Sequence, residues 1–319
     1  MLAVTDGAAV GSPPPWEHGT VATILVATDD GLRSFGGDGI PLAPQLAGRS
    51  VTFIARVASE VWAIVDASAV WRSSATGWML VADVDDLRAT CLAFTDSWLV
   101  GTSQAHLFRL VDDALVKVEP FDRAEGREAW YTPWGGPPDT RSISEWGDDV
   151  YVNVHVGGIL RTDDGGDSWS PTIDIDADVH QVTTAEGFVF AACAGGLATS
   201  SDRGTTWAYR AEGLERRYAR GVTVCGDSVL VSTSSGPRGG QAAVYRSGLA
   251  DGAFERCRNG LPEWFDDNID SYCLDSFPDG TLAAFGTSDG RVYVSTDVGV
   301  TWGELATGLA PIHRILVTR

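Results

Sequence analysis

"SSDRGTTW", residues 200 to 207, sets a hydroxyl, an Asp, a Gly, a second hydroxyl and a Trp at fixed steps, and "TDDGGDSW" (162–169) and "STDVGVTW" (295–302) repeat it. Such an octet reads as a turn. The Asp accepts bonds from turn amides, the Gly permits a tight backbone, and the Trp is large enough to insert between neighbouring sheets. The position at which each octet begins recurs where the rest of the octet is missing. Ser34, Ser73 and Ser247 close "LRS", "WRS" and "YRS", Thr162 closes "LRT", and Leu110, Ser200 and Ser295 close "FRL", "ATS" and "YVS". These positions stand about 37 to 52 residues apart, the spacing of propeller blades.

Each unit holds four short runs rich in β-branched and aromatic residues, separated by Gly, Asp and Ser turns. In one unit they are "HQVTT" (180–184), "FVFAACAGG" (188–196), "LATSS" (197–201) and "WAYRA" (207–211). No segment carries a helical period, so the fold is expected to be all-β, one β-propeller of seven four-stranded blades, with six as the alternative. The first unit starts at its second strand, "ATILVATDDG" (22–31), whereas "IHRILVTR" (312–319) aligns with the first strands of the others. The C-terminal strand is therefore expected to complete the first blade and close the ring.

The three octets look like Asp-boxes, the bacterial neuraminidase repeat. From about residue 21 onward the chain resembles sialidase-like and photosystem-assembly-factor-like propellers. The resemblance implies structural roles for Asp164, Trp169, Asp202, Trp207, Asp297 and Trp302, and it names a fold rather than a reaction. Residues 1–20, "MLAVTDGAAVGSPPPWEHGT", read as a Pro-rich leader, and 21–319 as the propeller.

Composition narrows the function. With 23 Lys and Arg against 43 Asp and Glu, the net charge is −20, which repels nucleic acid and anionic membrane surfaces. The 319 residues contain no apolar run long enough to span a bilayer, and the N-terminus lacks a secretory pattern. Five cysteines without metal-ligand spacing point to buried thiols and a cytoplasmic setting. No motif calls for a cofactor. The scattered histidines have no ligand spacing in sequence, although His155, near the end of a second strand, could approach the mouth; a metal at the channel stays open but has no support in the sequence, and none is expected.

Propeller geometry places the octets on one face and the two-to-three and four-to-one loops on the other, here called the top. Aligned first strands begin with Arg49, Arg88, Arg141, His180, Arg220, Asp270 and His313, a column expected to ring the top mouth of the central channel. The three longest insertions, 119–140, 235–242 and 258–269, fall on the same face and bring Trp130, Tyr131, Trp134 and Trp264. Guanidiniums beside aromatic faces suit an acidic sugar, a carboxylate, phosphate or sulfate. Sialidases use an Arg triad, a Tyr/Glu nucleophile pair and an Asp acid, but no residue-by-residue match to that set exists here. A glycoside hydrolase could pair Asp270 with Asp266, Asp267 or Glu263, and a lyase could use His180 or His313. A scaffold presenting the top face to a protein partner is the third reading.

Overall fold

Antiparallel hairpins repeat around one axis from end to end of the computed structural model, which describes residues 22–319; the leader 1–20 lies outside the described residues. The sheets are seven, and the ring closes in blade one. Blade one is built from both ends of the chain: strand Ile312–Thr318 lies innermost, followed by Thr23–Thr28 and Gly31–Gly36. Its outermost place is taken by an irregular segment held through isolated bridges of Leu32 with Gln45 and Phe35 with Pro41. Blades two to seven each hold four strands in chain order, starting at Val51, Ala89, Thr140, Val179, Tyr218 and Leu274. The insertion 119–140 adds two short helical turns, Glu119–Asp122 and Arg127–Ala129.

The apolar core lies between blades, where alternating residues of adjacent sheets face each other. Ile24 and Val26 of blade one, for example, share a buried cluster with Phe285 and Tyr293 of blade seven.

The octets occupy hairpins between third and fourth strands, as the repeat requires. In all three the geometry is the same. Asp164, Asp202 and Asp297 each accept from the first hydroxyl of the octet at 2.7–2.8 Å, from the amide of the residue before Trp at 2.8–3.0 Å, and from that residue's hydroxyl at 2.6 Å. The first hydroxyl in turn accepts from the Gly amide. Trp169 and Trp302 are buried, with indole N–H groups donated to the carbonyls of Gly166 and Gly299. Trp207 is half-buried and donates across to Thr172 of blade four. The aspartate carboxylate and the two flanking hydroxyls of each motif are thus bonded to one another within the turn.

The first strands share an irregularity near the channel mouth. Pairing between the first and second strands slips by one residue in six blades. The extra residue is Thr52, Thr90, Arg141, His180, Arg220 or His313. Such a β-bulge re-aims its side chain. Blade seven replaces it with a turn at Asp270–Cys273, closed by the Cys273 amide on the Asp270 carbonyl at 2.9 Å. The expected column is thus correct in register at Arg141, His180, Arg220 and His313. It is shifted at Arg49 and Arg88, which stand outside the bulge positions held by Thr52 and Thr90.

Candidate functional site

The blade-seven turn crosses the channel. Ser271 donates to the carbonyls of His180 and Arg220 at 3.2 and 3.0 Å, and the Tyr272 amide donates to Gln181 Oε1 at 2.8 Å. The Ile315 amide donates to the Tyr272 carbonyl, and the Ile143 amide to the Tyr272 hydroxyl at 3.1 Å. Tyr272 has a φ of 63°, a costly value for an aromatic residue, held here by bonds to four other blades. It forms a floor that divides the channel into an upper and a lower cavity.

The upper cavity, about 410 Å³, is the top mouth, and Arg88, Arg141, Arg220, Asp270 and His313 line it together with Phe53, Asp139 and Tyr272. Most of these groups already have carboxylate partners. Arg220 Nε donates to Asp270 Oδ1 at 2.6 Å, Arg88 to Asp139 at 2.8 Å, and His313 Nε2 lies 2.7 Å from Asp29 Oδ1. Arg49, which does not line the cavity, donates to Asp66 at 2.6 Å. The hydrogen bond from His313 holds the Asp29 carboxyl below its usual range. Arg141 differs: among the described residues its guanidinium has neither a hydrogen-bond acceptor nor an ion-pair partner. Burial, and then the Arg220 charge, push its pKa down from the ordinary value. The mouth is lined by Arg88, Arg220 and His313, each paired with a carboxylate, and by one arginine without such a partner, rather than by the open basic ring that the column implied.

His180 leaves the mouth altogether. It is fully buried, with its ring 4.6 Å from Tyr218 and its Nδ1 2.6 Å from the Ala219 carbonyl. The expected aromatics stand apart from the cavity as well. Trp130 packs against Phe121 under Arg127, Tyr131 is exposed, and Trp134 is 70% exposed with its ring 5.0 Å from that of His155. Trp264 is capped by Arg256 at 3.5 Å and lines a separate cavity of about 240 Å³ with Asp266 and Asp267. Asp267 there accepts from Ser288 at 2.7 Å. Glu263 is exposed and lines neither cavity. Asp270 is therefore not brought to a shared cavity with the carboxylates proposed as its partners. The aromatic rings that do meet in the mouth are Phe53 and Tyr272, edge to face at 4.9 Å. Sequence reasoning passed over both because each looked like an ordinary strand residue.

Below the floor, a cavity of about 210 Å³ is lined by Arg314 and Asp275 among others. The Arg314 guanidinium lies 3.9 Å from the Phe53 ring centre and 4.2 Å from that of Tyr272, with Nε and Nη1 unpartnered. Burial pushes the Asp275 carboxyl up to about 6, against the opposing amide of Val317 at 2.7 Å and the Arg314 charge. The folded protein thus keeps a proton that the unfolded chain has already lost above 3.8. Stability from this group is expected to fall as pH rises from about 4 to about 6. Denaturant titrations of the wild type and Asp275→Asn at both ends of that window check this: the variant should lack that component of the fall, and parallel pH profiles would refute it.

On the octet face, a cavity of about 330 Å³ lies over Trp169 and Gly166. Its cation Arg109 is already bonded to Asp96 and to the Gly165 carbonyl.

No family model matches the chain, and no curated protein matches it in sequence. Solved structures match its fold. YCF48 from Cyanidioschyzon merolae aligns at 13% identity with a TM-score of 0.59, over 86% of this chain and 96% of that one. The GH74 xyloglucanase from Xanthomonas campestris aligns at 15% and 0.58, over 88% of this chain. The computationally designed Ika8 protein aligns at 13% and 0.57, over 92% of this chain and 91% of its own. The chain spans 46% of the xyloglucanase and 38% of an ancestral GH74 enzyme. Identities this low show a shared propeller fold and nothing finer. Among the described residues no helix is long and apolar enough to cross a membrane.

Proposed function

We propose that this propeller, spanning 21–319 as one domain with its three octets serving as structural Asp-boxes, binds a small anion at its top mouth. The observation that carries the reading is Arg141. Its half-buried guanidinium faces the mouth with no carboxylate partner, so an incoming carboxylate, phosphate or sulfate oxygen could take a charge-assisted bond from it. The charge count favours a single negative charge, because Arg88, Arg220 and His313 already have carboxylate partners. A cavity of about 410 Å³ with two aromatic rings admits an acidic monosaccharide. Five free, buried cysteines fit a reducing, cytoplasmic setting for this activity.

The test is a thermal-shift and calorimetric screen with glucuronate, sialic acid, lactate, phosphate and sulfate, on the wild type and Arg141→Met. One charge-assisted bond is worth about 1.5–3 kcal/mol, so the variant should lose roughly 10- to 150-fold in affinity. Absence of binding by all five compounds, or binding indifferent to Arg141, would overturn the proposal.

The split of Asp270 from Asp266 and Asp267 disfavours a two-carboxylate glycosidase. A protein-binding role for the same face draws support from Tyr131 and Trp134, 46% and 70% exposed on the long insertion. Capture of a partner that is lost in Trp134→Ala and retained in Arg141→Met would favour that second reading.

A further inference from the structure

Beside the mouth, the fold joins three residues that the sequence scatters. His155 follows the second strand of blade four, Asp178 precedes the first strand of blade five, and His180 is that strand's bulge residue. Asp178 sits in the left-handed region, φ 47°, which turns its carboxylate back between the two imidazoles. Its Oδ1 lies 3.3 Å from His155 Nε2 and 3.6 Å from His180 Nε2, and the three donor atoms fall within 4.8 Å of one another.

The hydrogen bonding of His180 decides what these atoms are. Its Nδ1 is 2.6 Å from the Ala219 carbonyl, which can only accept, so Nδ1 carries the proton. In the neutral ring, Nε2 then presents a lone pair. That lone pair faces a carboxylate oxygen at a separation beyond a hydrogen bond. Neither His180 Nε2 nor Asp178 Oδ1 has a hydrogen-bond partner among the described residues, and His180 is 0% exposed. Two buried acceptors pointing at each other are unfavourable unless a cation stands between them.

The dimensions suit one. Ligands about 2.0–2.2 Å from a tetrahedral metal stand about 3.3–3.6 Å apart, which matches the two separations at Asp178 Oδ1, and the two histidine nitrogens lie within 4.8 Å of each other. His155 is buried and packed against Trp134, so its ring is held in place. The carbonyl behind His180 Nδ1 is the kind of outer partner that orients a metal-ligating histidine. Two imidazoles and a carboxylate select a first-row divalent ion over calcium or magnesium, and three protein ligands leave a position open.

We propose that His155 Nε2, Asp178 Oδ1 and His180 Nε2 form a binding site for a divalent first-row metal ion, zinc being the best match to the donor set. The site stands beside the anion site and does not depend on it. The five cysteines are buried, so thiols do not compete for the ion in the folded protein.

The experiment titrates untagged, chelator-stripped protein with Zn²⁺ by calorimetry in a non-coordinating buffer free of added anions, and with Co²⁺ by visible absorption. One ion per chain should bind with micromolar or tighter affinity, and Co²⁺ should develop bands of four- or five-coordinate geometry. Asp178→Asn and His155→Gln, checked for wild-type circular dichroism, should each weaken binding by about a hundredfold or more. His155→Gln alters only the least enclosed of the two histidines and so separates loss of a ligand from loss of the fold. Absence of saturable Zn²⁺ binding, or binding unchanged in both folded variants, would overturn the site. Metal binding without any anion binding would uphold this site while refuting the anion reading, and the reverse result would separate them the other way.

Discussion

A chain ending at residue 311 will not hold a stable propeller. It lacks the strand Ile312–Thr318, which forms six pairs with Thr23–Thr28 and buries Ile312, Ile315 and Val317 at 6%, 1% and 7% exposure. Each such side chain contributes about 1.5–3 kcal/mol by burial alone, and domains hold only about 5–15 kcal/mol in total. The loss also strips the inner edge of Thr23–Thr28 and opens the cluster in which Ile24 and Val26 lie, leaving an apolar strand with unpaired backbone groups. The truncated chain should therefore lack cooperative unfolding and should aggregate. Adding a synthetic peptide of residues 310–319 should restore a cooperative transition. A truncated monomer that melts like the full chain would show that the ring does not depend on this closure.

The second large effect is expected at the octet of blade seven. Trp302 is 5% exposed, stands edge to face with Phe285 at 4.9 Å, and donates its indole N–H to Gly299 and its amide to the Asn259 carbonyl. Its own carbonyl lies so close to Gly260, φ +80°, that a Cβ there would meet it at 1.8 Å, so the neighbouring chain is fitted closely to the Trp302 backbone. Trp302→Ala should cost about 3–5 kcal/mol, read as a lower denaturant midpoint at unchanged slope. Trp207 is half-buried, so Trp207→Ala should cost less. Equal small costs at both positions would show that the octet tryptophans do not bind the blades together.

The architecture was legible because it repeats. Ser34, Ser73, Leu110, Thr162, Ser200, Ser247 and Ser295 all lie at or near the ends of third strands, and "IHRILVTR" takes the inner place in blade one. The site was legible in part: Arg141, Arg220 and His313 reach the mouth from bulge positions and Arg88 from outside one, whereas the bulge residue His180 is buried away from it. At Arg49 and Arg88 an alignment anchored on apolar residues cannot show where the extra residue enters, so Thr52 and Thr90 went unrecognised. Asp29, Asp66 and Asp139 were missed as partners because each lies outside the aligned first-strand column and resembles any turn aspartate. Tyr272 was counted as a strand residue, yet it sits in a turn whose conformation is set by bonds to four other blades. His155, Asp178 and His180 have no motif spacing, since adjacent blades rather than a single segment bring them together.

Closure by two distant strands also has a timetable. As the chain is synthesised, Thr23–Thr28 is made early and its inner neighbour roughly 290 residues later, roughly 15–60 s at ~5–20 residues per second. For that interval the first blade carries a free inner edge, open to the same edge on a sister chain translated nearby. Soluble yield should thus depend on how crowded the nascent chains are, before the finished protein's own stability enters.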